Sequence, residues 1–165
     1  MITSTSNAKV KRLVNLKKKK KLRDEEGVFL VEGIRMFREV PKDRLVEVYA
    51  SEEFWNRERK AVEQVLAGTK VQPEILADFV FEYVSDTKTP QGILCSVRIP
   101  KPSLCPPKES CLLLDGVSDP GNMGAIIRTA NAAGYGEIYL VGCTDPYSPK
   151  SVRASMSGIF FVKIY

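Results

Sequence analysis

The chain has 165 residues, 44% of them hydrophobic and 27% charged, which fits one ordinary domain or two small ones and offers no apolar run near the roughly 20 residues that span a bilayer. Histidine is absent, so a Ser-His-Asp or Cys-His hydrolase and any His-containing zinc site are excluded within these residues. Net charge is +5 but unevenly placed: residues 1–44 hold 13 Lys and Arg against 6 Asp and Glu, while residues 45–165 hold 12 against 14.

The opening MITSTSNAKVKRLVNL lacks the apolar core of a secretory signal; being basic and Ser/Thr-rich it loosely suggests an organellar transit peptide, but a cytoplasmic location is the favoured expectation. Ser6-Asn7 ahead of Ala8, Val10, Leu13, Val14 and Leu16 predicts a capped amphipathic helix, and a second helix follows through the lysine run to Gly27. Lys9, Lys11, Arg12, Lys17, Lys18, Lys19, Lys20, Lys21 and Arg23 stand here with no acidic residue among them. Such a cluster is the footprint of a phosphate-backbone binder, or else of a solvated helix with no specific partner.

Val28 to Val31 reads as a strand, Glu32-Gly33 as the opening of a helix through Phe37, and Val46 to Ala50 as another strand before a helix starting at Ser51-Glu52-Glu53. Pro73 is placed at the first turn of a further helix carrying Ile75, Leu76, Phe79, Val80 and Val84. Gly92 to Val97 closes this first unit as a strand. The segment IPKPSLCPP from Ile99 to Pro107, with four prolines in nine residues, predicts a stiff connector. The expected layout is therefore a domain over 1–98, a linker over 99–108 and a second domain over 109–165.

In the second part Cys111 to Leu114 reads as a strand, Asp115 to Gly121 as a loop, Asn122 to Ala133 as a helix capped by Asn122, and Glu137 to Val141 as a parallel strand. A short helix from Lys150 and a third strand over Phe160 to Tyr165 follow. Cys95, Cys105, Cys111 and Cys143 form no C-x-x-C pair and read as reduced, mostly buried side chains rather than as metal ligands.

Ligands of an open parallel sheet bind beyond the carboxyl ends of its strands, where the loop DGVSDPGN falls. Asn122 as a cap would leave backbone N–H groups for an anion. Gly124 lies four residues before Arg128 on one helical face, removing a side chain that would crowd the arginine. From the residues alone Arg128 reads either as a site arginine or as a surface charge paired with Asp115 or Asp119. A dinucleotide fold is disfavoured, because Gly116, Gly121 and Gly124 miss the G-x-G-x-x-G spacing.

The pattern Asn122-x-Gly124-x-x-x-Arg128-Thr129-Ala130 resembles the first motif of the SpoU branch of the SPOUT methyltransferases, and Asp145 to Lys150 with Arg153-Ala154-Ser155 resembles a second segment of it. The stretch from SNAKVKRL through FLVEGIRMFREV to TPQGILCSV is similar to the substrate-binding domain often fused ahead of that catalytic domain. The resemblance implies an α/β protein: a small ribosomal-protein-like α/β sandwich, then the first part of a Rossmann-like parallel sheet lacking its trefoil knot. It implies transfer of a methyl group from S-adenosylmethionine to a ribose 2′-hydroxyl, by direct displacement without a metal. Ribosomal RNA is the first-ranked substrate and transfer RNA the second.

By the same resemblance Arg128 matches the catalytic arginine and Asn122 the asparagine that positions it and the RNA near it. A guanidinium with pKa above about 12 is a poor base, so orienting the ribose and stabilising the alkoxide is its easier role. Glu32 and Gly33 match residues with a structural role. The Gly-Glu-Gly loop and the later motifs that hold S-adenosylmethionine in the family have no counterpart up to Tyr165. The chain is therefore expected to be a fragment of a homodimeric methyltransferase, unable to knot or to bind the cofactor well alone. A non-catalytic RNA-binding or ribosome-associated module is the alternative.

Overall fold

In the computed structural model, which describes residues 1–165, the basic N-terminal stretch folds as two helices. Helix α1 (Ala8–Lys18) starts where the Asn7 side chain accepts a hydrogen bond from Lys9 N at 2.9 Å. Lys19 leaves helical geometry (φ −116°, ψ 109°), and α2 (Lys20–Glu26) ends at Gly27 in the left-handed region (φ 65°), a conformation glycine adopts without steric cost. The break leaves carbonyls at the end of α1 without helical partners. The buried Arg23 guanidinium supplies them, donating to Leu16 O at 2.6 Å and Lys17 O at 3.2 Å.

Four strands follow: β1 (Val28–Glu32), β2 (Leu45–Ser51), β3 (Pro73–Leu76) and β4 (Ile93–Arg98), in the order β1-β4-β2-β3. β4 runs antiparallel to both β1 and β2, and β3 runs parallel to β2. The strands read as continuous apolar runs because both faces are covered. On one face Val28, Leu30, Tyr49 and Leu94 meet Val10, Leu13 and Leu16 of α1 and Val80, Phe81 and Val84 of α5 (Asp78–Val84). The alternate residues Phe29, Val31, Val48, Ala50, Ile93 and Cys95 are equally buried, under α3 (Ile34–Glu39) and α4 (Glu52–Leu66). Burial in this layer pushes the Cys95 thiol well above its ordinary pKa.

The helix expected from Pro73 is instead strand β3, and α5 begins only at Asp78. Tertiary pairing overrides the mixed helical spacing: Val48 to Ser51 offers a free edge that Pro73 to Leu76 fills in register. Proline is tolerated as the first residue of an edge strand. Ile2 covers the outer side of β3, donating to Ile75 O at 2.8 Å and accepting from Ala77 N at 2.9 Å.

Met1–Arg98 forms one compact unit and Ile99–Tyr165 another. In the second, β5 (Leu112–Asp115), β6 (Glu137–Val141) and β7 (Lys163–Ile164) form an all-parallel sheet in that order, with α6 (Pro120–Ala132) crossing from β5 to β6 and α7 (Pro149–Ala154) following β6. α6 ends in a Schellman pattern, with Tyr135 N donating to Ala130 O at 2.9 Å and Gly134 at φ 82°. The strand expected over Phe160 to Tyr165 shrinks to Lys163–Ile164. A 3-10 turn (Gly158–Phe160) packs against α6 instead, burying Ile159, Phe160 and Val162, whose spacing does not alternate. Tyr165 stacks on Tyr139 with ring centroids 4.6 Å apart, and Tyr139 OH donates to Cys105 O at 2.7 Å, which ties the proline-rich segment to this sheet.

Candidate functional site

The loop after β5 lies at the carboxyl end of the parallel sheet. Gly116 N donates to Val141 O at 2.9 Å and Thr144 N to Val117 O at 2.8 Å, so the loops after β5 and β6 are tied to each other. Gly116 takes φ 68° to make that turn. The helix cap expected at Asn122 is Asp119: its Oδ1 accepts from Asn122 N at 2.8 Å, and Pro120 takes the first helical position. A proline there removes an N–H that would have no partner, and Asp caps better than a residue three places into the helix can. Hydrogen bonding from the Asn122 N–H holds the Asp119 carboxyl below its ordinary pKa, with the Lys150 ammonium at 3.6 Å adding to the effect.

Arg128 is exposed and makes no hydrogen bond or ion pair. The surface-pair reading with Asp119 fails, because Lys150 is that carboxylate's partner. Asn122 is exposed on the same helix, six residues earlier, which is about 9 Å along the axis and on a different face. No hydrogen bond joins the two side chains. Asn122 lines the crevice with the Gly116–Asp119 loop, whereas Arg128 stands on the helix face that Gly158 packs against.

Gly124 does something other than make room for the arginine. A Cβ there would sit 2.4 Å from Ser151 O and 2.5 Å from the Ala154 Cβ, so its absence lets α7 lie directly on α6. Gly158 makes a parallel contact, since a Cβ on it would meet Arg128 Cα at 3.1 Å. Met156 (φ 46°) and Ser157 (φ 72°) adopt left-handed geometry to bring Gly158 there. Ser148 caps α7 and its hydroxyl donates to the buried Ser151 Oγ at 3.0 Å, while Ser151 Oγ donates to Asp145 O at 3.1 Å. The segment from Asp145 to Gly158 is thus the bed on which the arginine-bearing helix rests. Asp-Pro at 119–120 and Ser-Pro at 148–149 were the sequence signals for these caps.

The basic residues of the first unit divide sharply. Lys9 pairs with Glu74, Lys20 with Asp24 and Lys21 with Glu25. Arg12 bridges Glu26 at 2.6 Å and Glu47 at 2.8 Å; burial opposes its charge, but the hydrogen bonds it donates to those two carboxylates outweigh this and raise its pKa. Lys17 is half-buried with Nζ donating to Ser85 O at 2.8 Å, and burial lowers its pKa. Arg23 is a correction to the expected RNA-contacting set, since it is buried and its donors cap α1. Lys11, Lys18 and Lys19 are exposed without an ion pair. Glu32 is structural: its carboxylate accepts from Thr87 Oγ1 at 2.8 Å and Asp86 N at 3.1 Å, bracing the segment before β4.

A parallel sheet with a tied loop and an arginine-bearing helix at its carboxyl end, preceded by a basic α/β sandwich, is the architecture of SPOUT-class proteins. Residues 7–95 match the MRM3-like substrate binding domain and residues 109–165 match the SpoU rRNA Methylase family. The chain belongs to the MRM3-like substrate binding domain family, and its second unit is similar to the SpoU rRNA methylases. It is 32% identical over 164 residues to the 23S rRNA (guanosine(2553)-2′-O)-methyltransferase RlmP of Bacillus subtilis, covering 99% of this chain and 63% of that protein. It is 30% identical over 164 residues to the human mitochondrial rRNA methyltransferase 3, covering 92% of this chain and 38% of that protein. The AdoMet-bound rRNA methyltransferase structure from Sinorhizobium meliloti superposes with a TM-score of 0.83 at 30% identity, covering 99% of this chain and 62% of that one. The chain thus spans less than two thirds of the length of these relatives.

Proposed function

We propose that the protein methylates a ribose 2′-hydroxyl of ribosomal RNA with S-adenosylmethionine as donor, this chain supplying the RNA-binding unit and the RNA-facing half of the transfer site. The observation that carries the reading is Arg128: an exposed, unpaired guanidinium on a helix locked by Gly124 and Gly158 beside the crevice loop. The relatives support ribosomal RNA as substrate, with transfer RNA the second choice. A cytoplasmic location completes the reading.

Arg128 orients the ribose and stabilises charge developing on the 2′-oxygen, an electrostatic role that needs fixed geometry rather than a shifted pKa. Asn122, on another face of α6, contacts RNA at the crevice rather than holding Arg128. The crevice, lined by Gly116, Ser118, Asp119, Asn122 and Ala125, has no buried side-chain atom without a partner facing it. These residues alone make no seat for an adenosyl group. Exposed Leu113 and Val141 leave one face of the β5–β6 sheet open, and parallel sheets are covered on both faces. That supports the full-length protein being a homodimer.

The test uses the full-length protein with a 23S ribosomal RNA transcript and radiolabelled donor. Arg128→Ala is expected to lower methyl transfer by roughly 10²–10³-fold while RNA affinity stays within threefold. Undiminished transfer removes Arg128 from the reaction. Binding without any transfer by the unaltered protein makes it a non-catalytic RNA-binding module.

A further inference from the structure

Along α1 and α2, Lys9, Arg12, Lys20 and Lys21 are paired with carboxylates, while Lys11, Lys18 and Lys19 stay exposed and unpaired. Two arginines of residues 1–44 are unpaired as well. Arg35 and Arg38, on α3, are exposed and make no hydrogen bond or ion pair. They lie across the sheet from α1, and with Arg57, Gln91 and Gly92 they line a cleft between α3 and the start of α4.

We propose that this cleft, rather than the lysine run, seats the phosphodiester backbone of the RNA on the first unit. The inference rests on the ribosomal-RNA reading above and adds the place where that RNA is held.

The floor of the cleft is built rather than incidental. Gly33 and Gly92 take φ 101° and 91°, and a Cβ on Gly92 would meet the Phe54 Cβ at 2.5 Å and Ser51 Oγ at 2.7 Å. Only glycine lets the chain entering β4 come that close to α4. Ser51 N donates to Gly92 O at 2.8 Å and Gly33 N to Ile93 O at 3.0 Å, which fixes the floor to the sheet. The Gln91 Oε1 accepts from Ile34 N at 3.0 Å, so that oxygen is occupied and the amide NH2 remains as a donor.

Charge in the cleft then sorts simply. Glu53 and Glu58 both lie on Arg57, at 3.3 and 3.5 Å, leaving the surplus on Arg35 and Arg38. Those two are three apart on one helix and therefore neighbours. Their planar forks suit phosphate oxygens, which a lysine meets only as a point charge. Two adjacent guanidiniums over a donor amide fit successive phosphates of an RNA strand, with Gln91 donating to the nucleotide between them. Arg57 is held in exposed pairs that are weak in water, and phosphate can displace its carboxylates.

The experiment is filter binding of the 165-residue chain to a 23S ribosomal RNA transcript across a salt series. Arg35→Ala/Arg38→Ala is expected to weaken binding at least tenfold and to lower the log–log salt slope by about 1.4, at ~0.7 per strand phosphate released. Lys11→Ala/Lys18→Ala/Lys19→Ala is expected to weaken it less than threefold. Gln91→Glu keeps the acceptor for Ile34 N but adds a negative charge, and is expected to cost at least fivefold. Circular dichroism of each variant should match the parent, since the changed side chains are exposed. Arginine-variant binding within twofold of the parent, or a larger loss from the lysine variant, overturns the inference and leaves the RNA reading standing. Failure of the unaltered chain to bind the transcript at any salt overturns both.

Discussion

Gly124 sets the distance between α6 and α7, and with it the position of Arg128 one helical turn further on. Adding a methyl group there drives a carbon to 2.4 Å from a backbone oxygen, which cannot swing aside as a side chain can. Gly124→Ala should therefore destabilise the second unit by about 1–3 kcal/mol or more, read as a lower urea midpoint. Gly136→Ala is the control: its Cβ meets nothing within 4 Å, and the cost should stay within about 0.5 kcal/mol. Equal midpoints for the two variants would remove the close-packing account. Arg23 teaches the same lesson about charge. In the sequence it is one of nine cations with no acidic residue among them; in the fold it is a buried cap on carbonyls that the helix break leaves open.

At the scale of elements, α1, α2 and β2 are joined by Arg12, which reaches Glu26 on one and Glu47 on the other. Burial works against the charge of Glu47, but hydrogen bonds from Arg12 and Ser96 outweigh it and hold its pKa below the ordinary carboxylate value. The unfolded chain then binds more protons just below that ordinary value of about 4.3, so stability rises with pH through this window. Its contribution is present at neutral pH and is lost as pH falls through the folded-state pKa. Urea unfolding at about pH 5 and about pH 3 should show a larger loss for the parent than for Glu47→Gln. Identical losses would mean that Glu47 does not couple to folding. The continuous apolar runs made β1, β2 and β4 legible in the sequence, whereas β3 was hidden because its four residues carry no period of their own and begin with a proline.

For the whole molecule, the segment between Arg98 and Leu112 has no helix or strand, and Lys101, Leu104 and Lys108 are exposed on it. We expect the domain boundary there to be the first site of limited proteolysis. Trypsin is expected to cut after Lys108, since the bond after Lys101 precedes Pro102 and is resistant. The product would be a stable fragment comprising residues 1–108, seen by mass spectrometry before any cut within α1 to α5. First cuts inside the lysine run would instead mean that α1 and α2 open more readily than the connector.

The alternation of apolar runs with amphipathic stretches, the proline-dense connector and the ordered Asn122-x-Gly124-x-x-x-Arg128 signature were settled by the sequence alone, because period, backbone restriction and motif order are local properties of the chain. Family membership was legible for that reason. Which cations are free was not. Lys9 finds Glu74 and Arg12 finds Glu47 only once strands distant in sequence are brought alongside α1. The role of Gly124 depends on Ser151 and Ala154, which reach it only by tertiary packing. Charge pairing and close contact are properties of distance in space, and the fold alone fixes those distances.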